Sequence, residues 1–421
     1  MSRVLYSLAW WLALPLVLAR LWWRGRKEPG YRAHWAERLG FPAAAPAQRL
    51  TLWVHAVSVG ETRAAEPLVE ALLKAYPDAR ILLTHMTPTG RATGKSLFGH
   101  HGERVVQSYL PYDTGFMVAR FLRAFTPRVC ILMETEVWPN LIHGCAKAGV
   151  PVALVNARLS ERSLRRGRKM GALMLDAARA IALVAAQTEL DAERIRSLGA
   201  SRVAVTGSIK FDVVPPPAAL EKGAWLRAQC GGRPVFLCAS TREGEEALIL
   251  NAWQRADKDS RALLALVPRH PQRFDDVEKL VAARGLAPVR RSKLEQGVGA
   301  ADVLLGDSMG EMFAYYAACD CAFIGGSLMP LGGQNLIEAC ALGKPVLVGE
   351  HTFNFAQATD EAVQDGGALR VADADSLVAA ALRLLEDEGA RAGMGAHALA
   401  FAGRHRGATL RTVELLRRLV G

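Results

Sequence analysis

The sequence is poor in the residue patterns that hold metals or form disulfide frameworks. Its seven cysteines include no Cys-x-x-Cys pair, and Cys130, Cys238 and Cys340 lie inside apolar runs. An odd number of cysteines in such surroundings is typical of reduced, buried thiols. Cys319-Asp320-Cys321 is too closely spaced for a zinc ribbon, and the chain has neither His-Glu-x-x-His nor a Walker phosphate loop. These absences predict a protein without a bound metal or cofactor.

Two Asp-x-Asp sequences are the remaining metal candidates. Asp257-Lys258-Asp259 lies in a polar turn, and Asp373-Ala374-Asp375 lies at a predicted helix start. Capping of local backbone amides explains both sequences, because aspartate is a preferred capping residue. We therefore expect any phosphate group to be neutralised by helix amides and cations instead of Mg²⁺.

Charge is nearly absent from the first helix-length stretch. Val4 to Trp23 contains Arg20 as its one charged residue, and as a helix it spans roughly 30 Å of hydrocarbon. Tryptophans near both ends are typical of membrane interfaces, and the basic residues that follow place the rest of the chain on the cytoplasmic side. A cleaved signal peptide would need a good small-x-small site after the apolar run, and none follows it. We predict an uncleaved single-pass anchor with a basic flank over residues 1–30. An in-plane interfacial helix stays open, because Arg20 and Pro15 weaken the span.

The net charge of +11 and the pI of about 9.5 favour anionic partners such as nucleotides, acidic lipids or nucleic acid. Nucleic-acid binding would need aromatic side chains interleaved with the basic surface. Most of the tryptophans crowd the N-terminus instead, at positions 10, 11, 22, 23 and 35. We therefore expect no nucleic-acid partner.

Beyond the anchor, apolar strand-like runs alternate with helical segments, which predicts parallel sheets covered on both faces. The predicted strands are 50–56, 80–84, 105–110, 128–133, 151–156, 181–186 and 203–207, followed by 234–239, 262–267, 303–305, 321–324, 345–348 and 368–371. The helices predicted between the strands of the first series include 62–75 and 164–178. A chain of 421 residues exceeds one core, and the prolines in 211–217 predict a linker. The fold class is therefore α/β, with two doubly wound Rossmann-like domains facing a cleft and ligands at the carboxyl ends of the strands. The proposed domains are 31–210 and 222–400, joined by a linker at 211–221 and followed by a C-terminal helix at 401–421 that could pack across the first domain.

A glycine-rich loop with the sequence GGSLMPLGGQN follows the predicted strand 321–324 and precedes a predicted helix. Glycines allow close approach of the backbone to a ligand, and the free N–H groups of the loop together with a helix N-terminus favour phosphate. The donor-site candidates in this loop are Gly325, Gly326, Ser327, Gly332 and Gly333, followed by Asn335 and Glu338. Glu338 shares a helical face with Asn335 and could accept ribose hydroxyls, although a capping box formed by the same two residues explains the pattern equally well.

Carboxylates follow two predicted strands of the first domain. Glu61 lies at a strand-to-helix junction, where the helix dipole favours the ionised form that a general base requires. A plain role at the helix N-terminus is the alternative. Glu134 and Glu136 follow the strand 128–133 and are expected to reach the same cleft, one of them as a structural acceptor of loop amides. We treat these three residues as catalytic candidates.

Other polar residues follow further strands. Lys210 stands at a strand end where its side chain could reach a ligand phosphate. Arg158, Ser160, Arg162 and Ser163 open a basic run that could meet lipid head groups or a phosphorylated lipid, or could form an ordinary solvated face. In the second domain the candidates are Ser240, Thr241, Arg269, His270 and the loop Met309, Gly310 and Glu311. Arg269 suits a carboxylate or phosphate, whereas His270 is equally explained as a cap.

The strings VSVGE, METEVWPN, NARLSERS, VTGSIKFD, LVPRHPQRF, GDSMGEM, IGGSLMPLGGQN and HTFNF occur in this order. Together they resemble the Kdo transferases of lipid A biosynthesis, which attach 3-deoxy-D-manno-octulosonic acid. The resemblance runs from the N-terminal helix to about Phe355. It departs from the common pattern at Gln334 and Arg242, where histidine is frequent, and at Glu350, where proline is common.

The resemblance implies a GT-B fold and an inverting, metal-independent transfer of Kdo from CMP-Kdo to the tetraacylated lipid A precursor. It places the enzyme at the cytoplasmic face of the bacterial inner membrane, with CMP-Kdo, the lipid precursor and the membrane as partners. It also implies that Glu61 is the base and that Arg269, the Met309 to Glu311 loop, Asn335 and Glu338 hold CMP. The rival hypotheses are a GT-B transferase for another nucleotide sugar and a tethered nucleotide-sugar-binding protein without catalysis.

Overall fold

A computed structural model describes residues 2–42, 50–256, 261–295 and 297–421. The chain divides into two compact units. Unit 1 comprises Met1–Asp212 together with Arg406–Gly421, and unit 2 comprises Val213–His405. The chain therefore returns to its first unit after completing the second.

Unit 1 is built on a parallel seven-stranded sheet in the order β3-β2-β1-β4-β5-β6-β7. Its strands are β1 (Thr51–His55), β2 (Arg80–His85), β3 (Val105–Tyr109), β4 (Val129–Met133), β5 (Val152–Ala157), β6 (Leu183–Ala186) and β7 (Val203–Val205). Its helices are α1 (Arg3–Arg24), α2 (Trp35–Arg38), α3 (Val59–Ala64), α4 (Glu66–Ala75), α5 (Pro88–Phe98), α6 (Gly115–Phe125), α7 (Pro139–Lys147), α8 (Glu161–Lys169), α9 (Ala172–Ala180) and α10 (Glu189–Ser197).

Unit 2 repeats this architecture with the strand order β10-β11-β9-β8-β12-β13-β14, again all parallel. Its strands are β8 (Val235–Thr241), β9 (Leu263–Pro268), β10 (Pro288–Arg290), β11 (Val303–Leu305), β12 (Cys321–Ile324), β13 (Val346–Val348) and β14 (Ala368–Arg370). Its helices are α11 (Pro217–Gln229), α12 (Glu245–Arg255), α13 (Phe274–Ala282), α14 (Met312–Ala318), α15 (Ile337–Ala341), α16 (Ala356–Gln364), α17 (Ala374–Glu386) and α18 (Glu388–Arg404). The last helix, α19 (Ala408–Val420), belongs to unit 1.

The two faces of the first sheet are covered separately, because successive strand residues point to opposite sides. Leu52 and Val54 pack on the face covered by α4 and α19, whereas Trp53 packs with Phe121 on the face covered by α6, α7 and α9. Every residue of β1 is buried. This burial on both faces explains why the strand reads as a continuous apolar run. The doubly wound arrangement predicted from the sequence is confirmed.

The final helix is tied to unit 1 by polar contacts as well as by apolar packing. The Asp212 carboxylate accepts hydrogen bonds from the amides of Gly407 and Thr409, at the start of α19. At the other end of the helix, Arg128 donates to the carbonyl of Val420 over 2.8 Å. The helical conformation is interrupted between His405 and Gly407, so the tail is two helices, α18 and α19, with different neighbours.

Three sequence expectations differ from the structure. The sequence does not predict the strand β10, because its three residues, Pro288 to Arg290, are only partly buried and carry no apolar run. The predicted helix 164–178 is two helices, α8 and α9, which are separated at Gly171 with φ of 59°. The predicted helix 62–75 is likewise divided at Ala65 into α3 and α4.

Candidate active site

The strand order of the first sheet reverses between β1 and β4, which lie side by side. Such a switch point leaves a crevice at the carboxyl ends of the two strands, where α/β proteins bind ligands. Glu61 follows β1, and Glu134 and Glu136 follow β4. The topology therefore brings all three predicted catalytic carboxylates to one edge of the sheet.

Glu61 lies in the first turn of α3, and its Oε2 atom accepts a hydrogen bond of 2.7 Å from the amide of Val57. Burial raises the pKa of the Glu61 carboxyl from 4.5 to about 7. The Val57 amide opposes this increase, the neighbouring Glu136 and Glu134 carboxylates add to it, and Lys210 opposes it. A carboxylate with a pKa near neutrality is suited to accept a proton from a hydroxyl group.

Glu134 adopts a strained backbone conformation, with φ of 56° in a residue that carries a side chain. Its buried carboxylate forms ion pairs with Lys210, at 2.8 Å from Nζ, and with Arg158, at 3.4 Å from Nε. Backbone strain of this kind persists where the surroundings impose it, and it concentrates at functional sites. Lys210, expected at a donor phosphate, lies in unit 1 and is engaged by Glu134.

Glu136 has a different partner. Its Oε2 atom accepts a hydrogen bond of 2.8 Å from the indole N–H of Trp138. Burial raises the pKa of Glu136 and the Glu134 charge adds to the increase, whereas the Trp138 bond opposes it. The two glutamates are thus held by separate groups beside Glu61.

Asn156 is a residue of this edge that sequence reasoning did not select. It is fully buried in β5 with φ of 51°, and its Oδ1 accepts from the amide of Ile209. Its Nδ2 is buried without a hydrogen-bond partner among the described residues. This asparagine positions the turn that carries Lys210, and its sequence signal was limited to a polar residue at the end of an apolar run.

The residues expected to bind the acceptor follow the carboxyl end of β5. Ser160 caps α8, since its Oγ accepts from the amide of Ser163 at 3.2 Å and bonds the Ser163 hydroxyl at 3.0 Å. Arg158 is half-exposed and Arg162 is exposed. The structure therefore gives the two serines a local capping role, pairs Arg158 with Glu134 and leaves Arg162 facing solvent.

In unit 2 the strand order reverses between β8 and β12. The sheet order β11-β9-β8-β12 makes four candidate loops neighbours at their carboxyl ends. These loops carry Met309, Gly310 and Glu311 after β11, Arg269 and His270 after β9, Ser240 and Thr241 at β8, and the glycine-rich loop after β12. The donor-site residues named from the sequence thus share one edge.

The glycine-rich loop is braced by the protein itself, so several of the amides expected to face a phosphate already have acceptors. The buried carboxylate of Glu245 accepts from the amides of Gly326, at 2.6 Å, and Leu328, at 3.1 Å. The Gly333 and Gln334 amides donate to carbonyl oxygens of Gly326 and Gly325. Its conformation needs glycine, with φ of 75° at Gly326, 93° at Gly332 and 72° at Gly333. The loop is therefore a braced shelf in which the amides of Gly326, Leu328, Gly333 and Gln334 already have acceptors within the protein.

Glu245 was missed by the sequence analysis. Adjacent glutamates at a helix start are visible at 245 and 246, but the preference of helix N-termini for acidic residues accounts for them. Only the fold shows that both side chains are buried and that Glu245 reaches across to the loop after β12.

Two donor-site candidates have structural hydroxyls. Ser327 donates to the Ile324 carbonyl at 2.5 Å and accepts from the Gly349 amide at 2.9 Å, which ties β12 to the end of β13. Thr241 donates to Glu246 at 2.9 Å. The hydroxyl groups of Ser327 and Thr241 therefore stabilise the carboxyl-end edge of the second sheet.

Asn335 and Glu338 interact, but not as a standard capping box. The Asn335 Oδ1 accepts from the Ile337 amide at 3.0 Å, and its Nδ2 donates to Glu338 Oε1 at 3.1 Å. Glu338 thus accepts a hydrogen bond from the asparagine side chain. The helix that they begin, α15, has five residues, so its dipole is small.

Cationic side chains gather beside this shelf. Burial lowers the pKa of His270, and the positive charges of Arg242, Arg269 and Arg273 lower it further. Arg242 also lies against Gly326, because a Cβ added at that glycine would be 3.6 Å from Arg242 Cγ and 3.4 Å from Gln334 Nε2. Arg242 is therefore an additional candidate for anion binding, which the sequence analysis treated only as a departure from the family pattern.

The loop after β11 is held by ion pairs. Glu311 accepts from Lys222 at 2.6 Å and from Arg291 at 3.2 Å, and the Ser308 hydroxyl donates to it at 2.6 Å. Met309 is exposed and Gly310 has φ of 78°. The Glu311 carboxylate thus fixes the loop, whereas the backbone around Gly310 is the part open to a ligand.

The Asp-x-Asp sequences have different outcomes. Asp373 caps α17 with a capping box, which confirms the predicted role. Asp257 and Asp259 lie outside the described residues.

Within the part of the chain that the structure describes, one group offers metal-ligand atoms close together, Glu70, His100 and His101. Its histidines directly precede β3 and thus lie at the opposite edge of the first sheet.

The amino-acid sequence of this chain is similar to those of known proteins. A family model described as 3-Deoxy-D-manno-octulosonic-acid transferase (kdotransferase) matches residues 33–213. A 3-deoxy-D-manno-octulosonic acid transferase from Bordetella pertussis is 46% identical over 434 residues, covering 100% of both chains. The chain belongs to the Kdo transferase family. A second Kdo transferase, from Haemophilus influenzae, is 38% identical and covers 99% of this chain and 98% of its own. The resemblance stated from the strand-end strings is confirmed, and with it the assignment as a glycosyltransferase.

The fold of this chain is also similar to that of a solved structure. The UDP-GlcNAc 2-epimerase from Neisseria meningitidis, bound to UDP-GlcNAc, is similar with a TM-score of 0.61. The match covers 88% of this chain and 100% of the epimerase at 16% identity. At this identity the likeness shows the fold alone, and it confirms the predicted GT-B class.

Proposed function

We propose that this Kdo transferase moves Kdo from CMP-Kdo to the tetraacylated lipid A precursor, with inversion and without a metal ion. The observation that carries the proposal is the position of Glu61, a half-buried carboxylate at the switch point of unit 1 with a pKa of about 7. The family supplies the transferred sugar, and the residues supply the chemistry.

In the proposed reaction Glu61 accepts the proton of the acceptor hydroxyl. The hydroxyl oxygen then forms a bond to the anomeric carbon of Kdo while the bond from that carbon to the CMP phosphate oxygen breaks. CMP leaves with the bonding electrons. One displacement inverts the configuration of the anomeric carbon, so no covalent enzyme intermediate is needed.

Unit 2 is proposed to hold CMP-Kdo. The Arg242 and Arg269 side chains follow β8 and β9, and these fixed cations neutralise phosphate or carboxylate groups. His270, whose lowered pKa favours the neutral ring, lies beside them. Glu338 and Asn335 offer oxygen and nitrogen atoms for ribose, and the loop backbone around Gly310 offers groups for the base edge. The braced loop between Gly325 and Gly333 would support this site by shape more than by free amides.

Unit 1 is proposed to hold the acceptor. The exposed cations Arg162, Arg165, Arg166 and Arg168 on α8 suit the phosphate groups of a lipid precursor. Arg158, Ser160 and Ser163 lie at the start of the same segment. The apolar helix α1 is long and apolar enough to cross a membrane by length and composition, which supports membrane association. The cytoplasmic face of the inner membrane is the proposed location.

The proposal is tested by mass analysis of the products formed from CMP-Kdo and the tetraacylated precursor in the presence of a chelator. We expect the precursor mass to increase by one or more Kdo units. Product formation only with another nucleotide sugar would overturn the donor assignment. Failure with the lipid precursor but transfer to a soluble sugar would overturn the acceptor assignment.

A further inference from the structure

The helix α1 is docked lengthwise on unit 1. Its inward residues Trp10, Leu14, Val17, Leu18 and Leu21 pack in one cluster with Tyr31, Trp35, Leu39, Met86, Tyr112 and Met117. The spacing of these inward residues follows one face of a helix. From Tyr6 to Leu21 the contact extends over about 22 Å at 1.5 Å per residue.

Polar contacts fasten both ends of the docked helix. Near its N-terminus the Tyr6 hydroxyl donates to Asp113 over 2.9 Å, and Ser7 exchanges hydrogen bonds with the Asn140 side chain at 3.1 and 3.2 Å. Near its C-terminus Arg32 donates to the Trp22 carbonyl at 3.1 Å and stacks over the Trp22 ring.

The outward face of α1 is apolar and exposed. It carries Val4, Leu5, Leu8, Trp11, Leu12, Leu16, Trp22 and Trp23, each between 48% and 79% exposed. Arg20 and Arg24, four residues apart, share a flank of the helix. A water-exposed apolar surface of this size on a folded unit marks an interaction site.

Two exposed aromatic residues lie close to the docked helix. Phe41 and Phe116 are 48% and 53% exposed. The Arg120 guanidinium lies 3.7 Å from the centre of the Phe41 ring and 5.6 Å from that of Phe116. Phe116 precedes Met117, which packs in the same cluster as Leu14. The aromatic pair and its arginine therefore continue the region on which α1 is docked.

We propose that α1 lies in the plane of the membrane and that its outward face, together with Phe41 and Phe116, forms a single bilayer-contacting surface of unit 1. This inference rests on the proposed action on a membrane-embedded acceptor and deepens it. The occupant is a bilayer with anionic lipids, because apolar rings flanked by Arg20, Arg24 and Arg120 match acyl chains bordered by phosphates.

A membrane-spanning α1 conflicts with the contacts described above. A span would carry the partners of its N-terminal half, including Asp113 and Asn140, into hydrocarbon, where polar groups are costly. An in-plane helix keeps these partners in the protein and offers only its outward face to lipid. The helix also lies at the edge of the sheet that carries Glu61, since its partner Asn140 lies in the first turn of α7, which follows Glu136 and Trp138. The lipid chains of an acceptor can then stay in the bilayer while its head group approaches Glu61.

Topology is tested with single surface cysteines in the full chain, since all seven native cysteines are buried. Ser2→Cys and Glu103→Cys are each exposed to a membrane-impermeant maleimide in spheroplasts and in inside-out vesicles. We expect both to label only in inside-out vesicles. Labelling of Ser2→Cys in spheroplasts, with Glu103→Cys still labelled only in inside-out vesicles, would show a span and overturn the proposal.

The aromatic patch is tested by flotation of the purified full chain with vesicles of phosphatidylethanolamine and phosphatidylglycerol. Phe41→Ser/Phe116→Ser should bind about tenfold more weakly, since two partly inserted rings are lost. Phe41→Trp/Phe116→Trp should restore binding, and Leu399→Ser/Leu410→Ser, at exposed positions on other helices, should leave it unchanged. Equal binding of the Ser and wild-type proteins, or a wild-type dimer that buries these rings instead, would overturn the patch. Transfer to detergent-solubilised precursor tests the proposed function independently.

Discussion

The Oε2 atom of Glu61 accepts a hydrogen bond of 2.7 Å from the backbone amide of Val57, two residues after the end of β1. The bond fixes the carboxylate over the end of the strand. Burial meanwhile keeps its pKa near 7, so the group is both oriented and able to accept a proton. The first predictions follow from this pair of properties.

Glu61→Gln should lower turnover about 10²–10⁴-fold, because general-base catalysis commonly contributes that much. Glutamine retains an oxygen for the Val57 amide, so the melting temperature and CMP binding should change little. Turnover, melting temperature and CMP affinity are measured on one preparation. Near wild-type turnover in a folded variant would remove Glu61 as the base and direct attention to Glu134 and Glu136.

The rate should rise with pH through about 7. Glu61 must be ionised to accept a proton, and its pKa is raised from 4.5 to about 7. The same shift means that this group's contribution to stability is present below 4.5 and is lost as the pH rises through 7. The check is kcat/KM measured from acidic to mildly alkaline pH, with the Glu61→Gln variant as control. A flat wild-type profile would contradict the assignment.

Glu338→Ala should reduce CMP affinity by roughly 1–3 kcal/mol, because buried ribose hydroxyls would lose their acceptor. Glu338→Gln, which retains one acceptor oxygen, should lose less. Calorimetry with CMP decides the matter. Unchanged CMP affinity in the alanine variant would show that Glu338 has a structural role, which includes its contact with Asn335.

Glu245→Ala should destabilise unit 2 by about 3 kcal/mol or more. The amides of Arg242, Gly326 and Leu328 would lose their acceptor, and each unsatisfied buried group costs about 1–3 kcal/mol. Denaturant unfolding and CMP calorimetry should both show the loss. The matched control is Glu243→Ala, whose 89% exposed side chain makes only a 3.6 Å contact with Arg273, worth about 0–1 kcal/mol. Equal stability of the two variants would show that the loop does not depend on Glu245.

Deletion of residues through Trp23 should leave CMP binding intact, since unit 2 lies entirely downstream. It should also make unit 1 less soluble, because Tyr31, Tyr112 and Met117 lose the helix that covers them. Activity on vesicle-embedded precursor should fall far more than activity on detergent-solubilised precursor. Full-length rates on vesicles at equal concentration would show that α1 is dispensable for access.

The sequence by itself determined the α/β class, the succession of the strands other than β10, and the family. Apolar runs such as Cys130 to Met133 must be buried wherever they occur, and a glycine such as Gly326 with positive φ is required by local backbone geometry. These signals are local, so they can be read before the chain is folded. The order of the strand-end strings carried the family for the same reason, since it does not depend on contacts.

Tertiary structure alone decided which side chains meet. Glu245 and Gly326 are 81 residues apart, and nothing local indicates that the glutamate accepts hydrogen bonds from two of the loop amides. Lys210 was expected at the donor, but folding places it against Glu134 from a distant part of the chain. The docking of α1 is decided in the same way, because its apolar composition suits lipid and protein equally and only the partners Asp113 and Asn140 distinguish them. The composition of a segment determines which surroundings are unfavourable for it, whereas the packing of distant parts of the chain determines which residues it contacts.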